Sequence, residues 1–272
     1  MADDELYNDI PCGYFTDRKA QEIIEFMPDS QSCKMILKNC NIDLSENDDN
    51  TDPQEIFYSF LLADGYRRSD HYIYKAVCPN CKKCLGIRIQ VKDFVPSKSQ
   101  RKAYRKNQDI EFRLVTDPKE FVTDEKVELL RKYDRRHSPD KKEGFEDAKE
   151  SLFLLNGVLK TEEGFIKAYN GTVNIDFLLD GKLVGVSVLD RAKNALSSNY
   201  FYYDIEDEIM KRSIGVFSVL IEIKACRGLL FDGKLKSDLY YLGYYIEDCN
   251  KMNYKSNYNP HELLIDGEWI KK

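Results

Sequence analysis

No apolar run in this 272-residue chain approaches the roughly 18 residues that a bilayer-spanning helix needs, so a transmembrane reading fails. The opening Met-Ala-Asp-Asp-Glu is acidic and has no apolar segment behind it. It reads as neither a secretory signal nor an Arg-rich transit peptide, and a cytoplasmic protein without a membrane partner is expected. Net positive charge is lacking too: 41 Lys and Arg stand against 47 Asp and Glu, giving −6 and a pI near 5.3. That balance makes nucleic acid a poor default partner. What the chain does hold is 42% hydrophobic and 32% charged residues, enough for a sizeable core and too much for wholesale disorder.

The acidic total averages two unlike regions. Residues 1–60 carry 14 acids and 4 bases, and the remaining 212 carry 33 acids and 37 bases. Steering follows the local field, so the net figure does not exclude a polyanion. From Pro96 to Asn107 the chain reads PSKSQRKAYRKN, with no acid. On a helix, Lys98, Arg101, Lys102, Arg105 and Lys106 fall within one arc of about 140°. A solvated face is the ordinary explanation of such a stripe; the missing Glu and Asp favour a phosphate-contacting one.

With no export signal, the eight Cys residues read as thiols rather than disulfides. Cys78-Pro-Asn-Cys81-Lys-Lys-Cys84 places three in one short loop, a spacing that wraps zinc or an iron–sulfur cluster. Cys12 is the candidate fourth ligand. Reduced thiols packing a turn are the alternative.

The patterning divides the chain at 108, with a smaller Cys-containing domain at 1–108 and a larger one at 109–272. Residues 17–27 read as helical and Asn41–Pro53 as an acidic loop. Residues 53–63 read as a helix opened by Pro53 and closed by Asp64-Gly65. Strands at 72–77 and 86–91 are expected to pair, with the Cys-rich turn at their tip. Residues 124–136 form an amphipathic helix, acidic at its start and basic at its end, and a second lies near 145–155. Val173–Leu179 and Leu183–Leu189 flank Asp180-Gly181, a strong hairpin signal. Ser198–Tyr203 is a third strand, Ser213 caps a helix over Ile214–Cys226, and Leu239–Leu242 is the next strand. This order is that of an α+β GNAT-like acyltransferase core, in which the helix N-terminus binds a pyrophosphate. Arg212-Ser213-Ile214-Gly215 has one Gly, a poor match to an acetyl-CoA loop, so CoA is not expected.

The chain resembles the aminoacyl-tRNA–protein transferases of the arginyl/leucyl type nearly end to end. The resemblance is carried by Pro11-Cys12-Gly13-Tyr14, Gly65-Tyr66-Arg67-Arg68-Ser69, the Cys78–Cys84 run, and Ile87-Arg88-Ile89. It continues through Pro96–Arg101, Tyr133 to Arg136-His137, Asp180–Val184 to Asp190, Leu196–Tyr200 and Ser213-Ile214-Gly215. Tyr241-Leu242-Gly243-Tyr244 and Met252-Asn253-Tyr254-Lys255 complete it. The compact length is similar to that of the bacterial branch, whose members transfer Leu to proteins starting with Asp or Glu. Phe15 stands where the eukaryotic arginyl branch has a second Cys, Phe15-Thr16 replaces the bacterial Leu-Pro, and Leu229–Asp238 is longer than expected. An arginyl donor therefore stays open beside leucyl, as does a non-catalytic reader of acidic N-termini.

The resemblance implies aminolysis of an ester by an α-amine, with aminoacyl-tRNA as cosubstrate. Asp190 is the candidate base, with a turn or capping role as its rival. Tyr200 and Tyr241, with Tyr202 and Tyr244 nearby, are candidates for ordering the tetrahedral intermediate. An acidic acceptor residue needs a cation, and Arg67, Arg68 and Arg88 are candidates, each with phosphate contact or a structural ion pair as the alternative. Lys255 is a candidate tRNA or acceptor contact, alongside Lys98, Arg101, Lys102 and Arg105 for tRNA. His137 reads as a helix-end residue.

Overall fold

The chain forms a four-stranded sheet within residues 6–76, an eight-stranded sheet within residues 85–271 and a two-stranded sheet within residues 158–167. The computed structural model describes residues 6–42, 44, 51–137, 144–162 and 164–272. The acidic N-terminus, part of the Asn41–Pro53 loop and the His137 side chain lie outside the described residues. The N-terminal elements are β1 (Leu6–Pro11), β2 (Lys19–Phe26), α1 (Ser30–Asn39), α2 (Pro53–Ala63), β3 (Arg67–Ser69) and β4 (Tyr72–Ala76). Their strands form a sheet in the order β1-β2-β4-β3. The helical expectation for 17–27 fails because β2 pairs on both sides, and alternate residues Ala20, Glu22 and Ile24 face one cavity. Pairing overrides helical propensity there. Asp52 caps α2 by accepting from the Gln54 amide at 2.8 Å, with Pro53 in the first turn.

The next segment crosses into the larger sheet. β5 (Leu85–Gln90) pairs with strands from the far end of the chain and not with β4. The expected 72–77/86–91 hairpin is thus absent, and the Cys-rich loop bridges two sheets. The remaining elements are α3 (Lys98–Lys106), β6 (Ile110–Val115), α4 (Asp124–His137), α5 (Phe145–Asn156), β7 (Val158–Thr161) and β8 (Gly164–Lys167). They continue with β9 (Thr172–Leu179), β10 (Lys182–Ala192), β11 (Ala195–Tyr203), α6 (Asp207–Met210) and α7 (Ile214–Cys226). Last come β12 (Leu239–Tyr245), α8 (Asn250–Asn253), β13 (Glu262–Ile265) and β14 (Glu268–Lys271). The eight-stranded order is β14-β13-β5-β12-β11-β10-β9-β6, with β11–β12 as its parallel pair.

The run β6-α4-α5-β9-β10-β11-α7-β12 has the expected GNAT-like connectivity. Asp180 and Gly181 take φ of 50° and 78°, the geometry that a tight hairpin requires. Both sheet faces are covered; β10 reads as a nearly continuous apolar run, while β9 alternates Val173, Ile175 and Phe177 with the buried polar Thr172, Asn174 and Asp176. One core gathers Ile87, Ile175, Phe177, Leu189 and Leu196 beneath Phe217 and Ile221 of α7. On the other face, Val127 and Leu130 of α4 and Leu152 of α5 pack on Val186, Val188 and Tyr202. A third cluster joins Tyr58, Leu62 and Ile73 of the small sheet's layer to Ala195 and Tyr241 of the large one and to Tyr169 in the turn before β9.

Candidate active site

The large sheet opens where its parallel strands part. Pairing of β11 with β12 covers only Ala195–Ser197 against Leu239–Tyr241, although the strands continue to Tyr203 and Tyr245. Each strand carries an irregularity at the parting point. Leu189 pairs with Ser198 and Val188 with Tyr200, leaving Asn199 as an extra residue in β11. In β12 the register against β5 shifts between Tyr241 and Tyr244, and Gly243 takes φ +81°. Bulges increase twist and re-aim side chains, so both walls of the wedge turn outward there.

Two consecutive arginines of β3 reach this region in different ways. Arg68 meets Asp190 through Nε at 2.7 Å and Nη2 at 2.9 Å, with both side chains 0% exposed. The same carboxylate accepts from Thr172 Oγ1 at 3.0 Å and Asn199 Nδ2 at 2.6 Å. Those four donors fill its lone pairs. Asp190 and Arg68 therefore form a sealed clamp between the sheets, and neither is placed as a base or an acceptor contact. The ion-pair alternative is the one the geometry supports.

Arg67 has no such partner. Its Nη1 donates to the Tyr66 carbonyl and its Nη2 to the Gly243 carbonyl, each at 2.9 Å. Its buried Nε has no hydrogen-bond partner among the described residues, and the guanidinium lies 5.3 Å and 5.7 Å from the Tyr241 and Tyr244 ring centres. Beside it, Lys255 donates from Nζ to the Tyr244 carbonyl at 2.8 Å. Two buried cations thus sit on adjacent carbonyls of the β12 bulge, with no carboxylate paired to either among the described residues. Burial chiefly, and Arg67 next, pull the Lys255 ammonium down to about 7, although Cys249 opposes them. Lys255 is 8% exposed, so it is not presented on an outer tRNA surface.

Arg88 and Tyr241 are engaged elsewhere. Arg88 donates to Glu262 Oε2 at 2.6 Å and to the Tyr241 hydroxyl at 3.2 Å, and stacks 4.1 Å from the Trp269 ring centre. This ties β5 to β12, β13 and β14. Tyr241 is 1% exposed, its ring packed under Arg67. Tyr200 stands on β11 beyond the parting point and meets Tyr133 of α4 edge-on at 6.2 Å, with Tyr203 5.0 Å from the same ring. Tyr202 is fully buried on the α4 face.

Helix α3 carries the basic stripe as expected. Gln100 and Ala103 face inward, and Lys98, Arg101, Lys102, Arg105 and Lys106 are exposed. Ser97 and Gln100 form a reciprocal capping box at its start. It runs antiparallel to α7. Lys224 Nζ donates to Tyr104 at 3.0 Å at one end, and Asn107 Nδ2 donates to the Arg212 carbonyl at 3.0 Å at the other. The stripe therefore leads to the α7 N-terminus. There Ser213 takes a left-handed φ of 59° and makes no side-chain cap, contrary to expectation, which leaves the first-turn amides of α7 uncapped by it. Between the helices lies a cavity of about 350 Å³ lined by Phe94, Tyr104, Leu220 and Ile223, with Arg101 and Arg105 at its edge.

This constellation sits within matches that run along most of the sequence. Residues 10–102 match the family model for the arginine-tRNA-protein transferase N terminus, and residues 125–265 match the model for its C terminus. The chain belongs to the arginine-tRNA-protein transferase family. Within that family it is similar to an aspartate/glutamate leucyltransferase of Saccharophagus degradans, 35% identical over 78% of this chain and 82% of the other. It is also similar to one of Pseudomonas fluorescens (strain Pf0-1), 31% identical over 90% of this chain and 91% of the other.

In this transferase the four predicted cysteines converge. Cys12, Cys78, Cys81 and Cys84 all line one cavity of about 350 Å³ with Tyr14, Tyr74 and Tyr244. The Gln21 amide points at Cys78 Sγ (3.3 Å), and Arg18 Nη1 at Cys81 Sγ (3.8 Å). Burial first, then Cys78, Cys81 and Cys12, push the Cys84 thiol up to about 12. Among the described residues no three such side chains close to metal-ligand spacing. Four soft donors around one cavity, with N–H groups aimed at two sulfurs, nonetheless match the chemistry of a thiolate site.

The sequence analysis did not single out Glu222, a buried carboxyl that accepts from Ser187 Oγ at 2.7 Å. It sits in an apolar stretch of α7 and carries no motif; the one signal was a lone carboxylate at a core position of a helix that is otherwise apolar.

Proposed function

We propose that this protein transfers an amino acid, leucine in the best-supported reading, from aminoacyl-tRNA to the α-amine of proteins beginning with Asp or Glu, in the cytoplasm. The product would be marked for degradation by its new N-terminal residue. The observation that carries this reading is the kinship with proteins named aspartate/glutamate leucyltransferase over nine-tenths of both chains.

The donor ester is already activated, so no nucleophilic side chain is needed. The protein has to align amine and ester, remove a proton from an ammonium of pKa about 8, and stabilise an oxyanion. The wedge lies where β11 and β12 no longer pair with each other, beyond Ser197 and Tyr241, and an aminoacyl end can enter between them. Arg67 and Lys255 bind the acceptor's side-chain carboxylate; two buried cations on backbone carbonyls lack only an anion. The exposed cations of α3 carry the tRNA backbone towards the α7 N-terminus, with the salt dependence that phosphate contacts bring. Tyr200, beside Tyr133 and Tyr203, borders the wedge and orients the acceptor. Cys12, Cys78, Cys81 and Cys84 would hold zinc or an iron–sulfur cluster, which supplies a structural or redox-tuning centre beside the wedge.

The family models' description favours arginine as a second donor. Purified protein given radiolabelled Leu-tRNA or Arg-tRNA with peptides starting Asp, Glu or Gly tests both. Label from Leu-tRNA in the acidic peptides alone is expected. Label from Arg-tRNA only would reassign the donor, and label from neither would leave a non-catalytic reader.

A further inference from the structure

The cavity between α3 and α7 belongs to neither the wedge nor the cysteine cluster, and its walls and its rim differ in character. Phe94, Leu220, Ile223 and Leu229 make the walls apolar, and Tyr104 of α3 closes one side. Four cations stand around them: Arg101 and Arg105 of α3, Lys224 near the end of α7 and Arg227 just after it. No acid lines the cavity, and none of the four pairs with a carboxylate among the described residues. Asp93, next to Phe94 in the chain, is taken by Lys271 at 3.1 Å.

Neutral groups hold three of the cations in place instead. Arg101 Nη1 donates to the Pro96 carbonyl, and Arg227 Nη2 donates to the carbonyls of Val91 at 3.0 Å and Phe94 at 2.6 Å. Lys224 Nζ donates to the Tyr104 hydroxyl at 3.0 Å, which fixes that half-buried ring between the helices. Leu229 is 63% exposed and opens the long segment Leu229–Asp238, so the mouth stays apolar where it meets solvent.

An occupant has to combine an apolar or aromatic body with negative charge outside it. The volume of about 350 Å³ is at the small end for a ligand site and suits one planar ring system. An unpaired nucleotide meets both demands: its base has a π-face for Tyr104, and the phosphates on either side of it meet guanidinium groups. The position of the cavity favours RNA over a free anionic amphiphile. Arg101 and Arg105 belong to the same exposed face of α3 as Lys98, Lys102 and Lys106, so a strand that follows this face passes the mouth. Ile223 lies nine positions after Ile214, about 13 Å from the start of α7 by the rise of a helix. A strand leading from the cavity to the α7 N-terminus therefore leaves an inner base here, and not the base of the nucleotide that carries the ester.

We infer that this cavity takes an inner nucleobase from the unpaired 3′ strand of the tRNA, stacked on Tyr104 with its flanking phosphates on Arg101, Arg105 and Arg227. The inference rests on the aminoacyl transfer proposed above. It adds a site that reads unpaired RNA, where an exposed basic face reads phosphate charge alone.

A series of tRNAs, each with one abasic residue in the unpaired 3′ strand, tests this by equilibrium binding to the wild type and to variants. In the wild type, one inner abasic position should weaken binding roughly 10-fold, within what stacking one base on an aromatic ring supplies. Tyr104→Leu keeps an apolar side chain and loses the ring. It should weaken the unmodified tRNA by a similar factor and no longer respond to that abasic position. Lys102→Ala, on the basic face but outside the cavity, should weaken every tRNA of the series alike. Leu229→Glu puts a negative charge at the mouth from an exposed position, should behave as Tyr104→Leu does, and decides if that variant fails to fold. A series that the wild type binds uniformly would overturn the inference, as would a loss confined to the terminal nucleotide or one that persists in full in both cavity variants. A uniform series together with stoichiometric oleate binding that Leu229→Glu abolishes would give the cavity to an anionic amphiphile instead. Transfer of label with a uniform series sinks this inference alone; a wild type that transfers from neither tRNA sinks the transferase reading beneath it.

Discussion

Adjacent residues of the three-residue strand β3 serve two regions built on opposite terms. Around Arg68 the polar groups are complete: a two-point ion pair to Asp190, with Thr172 and Asn199 filling the remaining lone pairs. Around Arg67 they are incomplete, with one nitrogen unbonded and a second cation, Lys255, alongside. The closed region can only hold the two sheets together. The open one lacks an anion that the chain does not provide among its described residues, and that deficit is what a substrate carboxylate can fill. Burial and charge alone do not separate the two; the completeness of the partners does.

Breaking the closed region should give the largest effect. Asp190→Asn leaves Arg68 as a buried charge without its counter-ion, and a loss of about 3–5 kcal/mol in urea unfolding is expected. A variant that unfolds with the wild-type midpoint would show that the clamp is not the joint between the sheets.

Opening the other region further should act on binding and not on folding. Arg67→Met removes a cation already without a counter-ion, so the unfolding midpoint should hold or rise. The KM for an Asp-peptide should rise roughly 10- to 100-fold, the value of about 1.5–3 kcal/mol for a charge-assisted contact. An unchanged KM would move the acceptor site elsewhere.

The smallest effect is a slope. Lys255 titrates at about 7 when folded and at its ordinary 10.5 when unfolded. Between those values the unfolded chain binds more protons, so stability rises with pH across that window, by at most about 1.4 kcal/mol per unit. Below 7 both states are protonated, and the full cost of burying the charge remains. Lys255→Met should abolish the rise between pH 7 and 9 in a urea series; a slope that persists would assign it to another group.

Sequence patterning carried the centre of the large sheet, where periods are clean: the Asp180-Gly181 hairpin, the strands β9 to β12 and the basic face of α3 lie where expected, while the edge strands β6, β13 and β14 went unread. It misread what long-range pairing decides. Lys19–Phe26 has no local signal for a strand until β1 and β4 flank it, and Leu85–Gln90 looks like the partner of its neighbour until β12 and β13 claim it. The site followed the same rule. The residue types for a cationic acceptor pocket were legible in Gly-Tyr-Arg-Arg-Ser and Met-Asn-Tyr-Lys, but which arginine is sealed depends on Asp190, 122 positions from Arg68. The four cysteines were found from spacing because three of them share one loop.

The alternation of β3 has a consequence for how this chain can vary. Successive residues of a strand point to opposite faces, so loss or gain of one residue in the Asp64-Gly65-Tyr66 turn would move each arginine to the opposite face. After an insertion Tyr66 would face the carbonyls of the β12 bulge and Arg67 would face Asp190; after a deletion Arg68 would face the carbonyls, displaced from its carboxylate, and Ser69 would face Asp190. Substitutions away from Gly65 can be absorbed one at a time, but a change of length in this turn alters both regions at once. The linker between α2 and β3 is thus constrained in length, and at Gly65, which takes φ +91° with Leu264 2.7 Å from where a Cβ would stand, it is constrained in side chain as well.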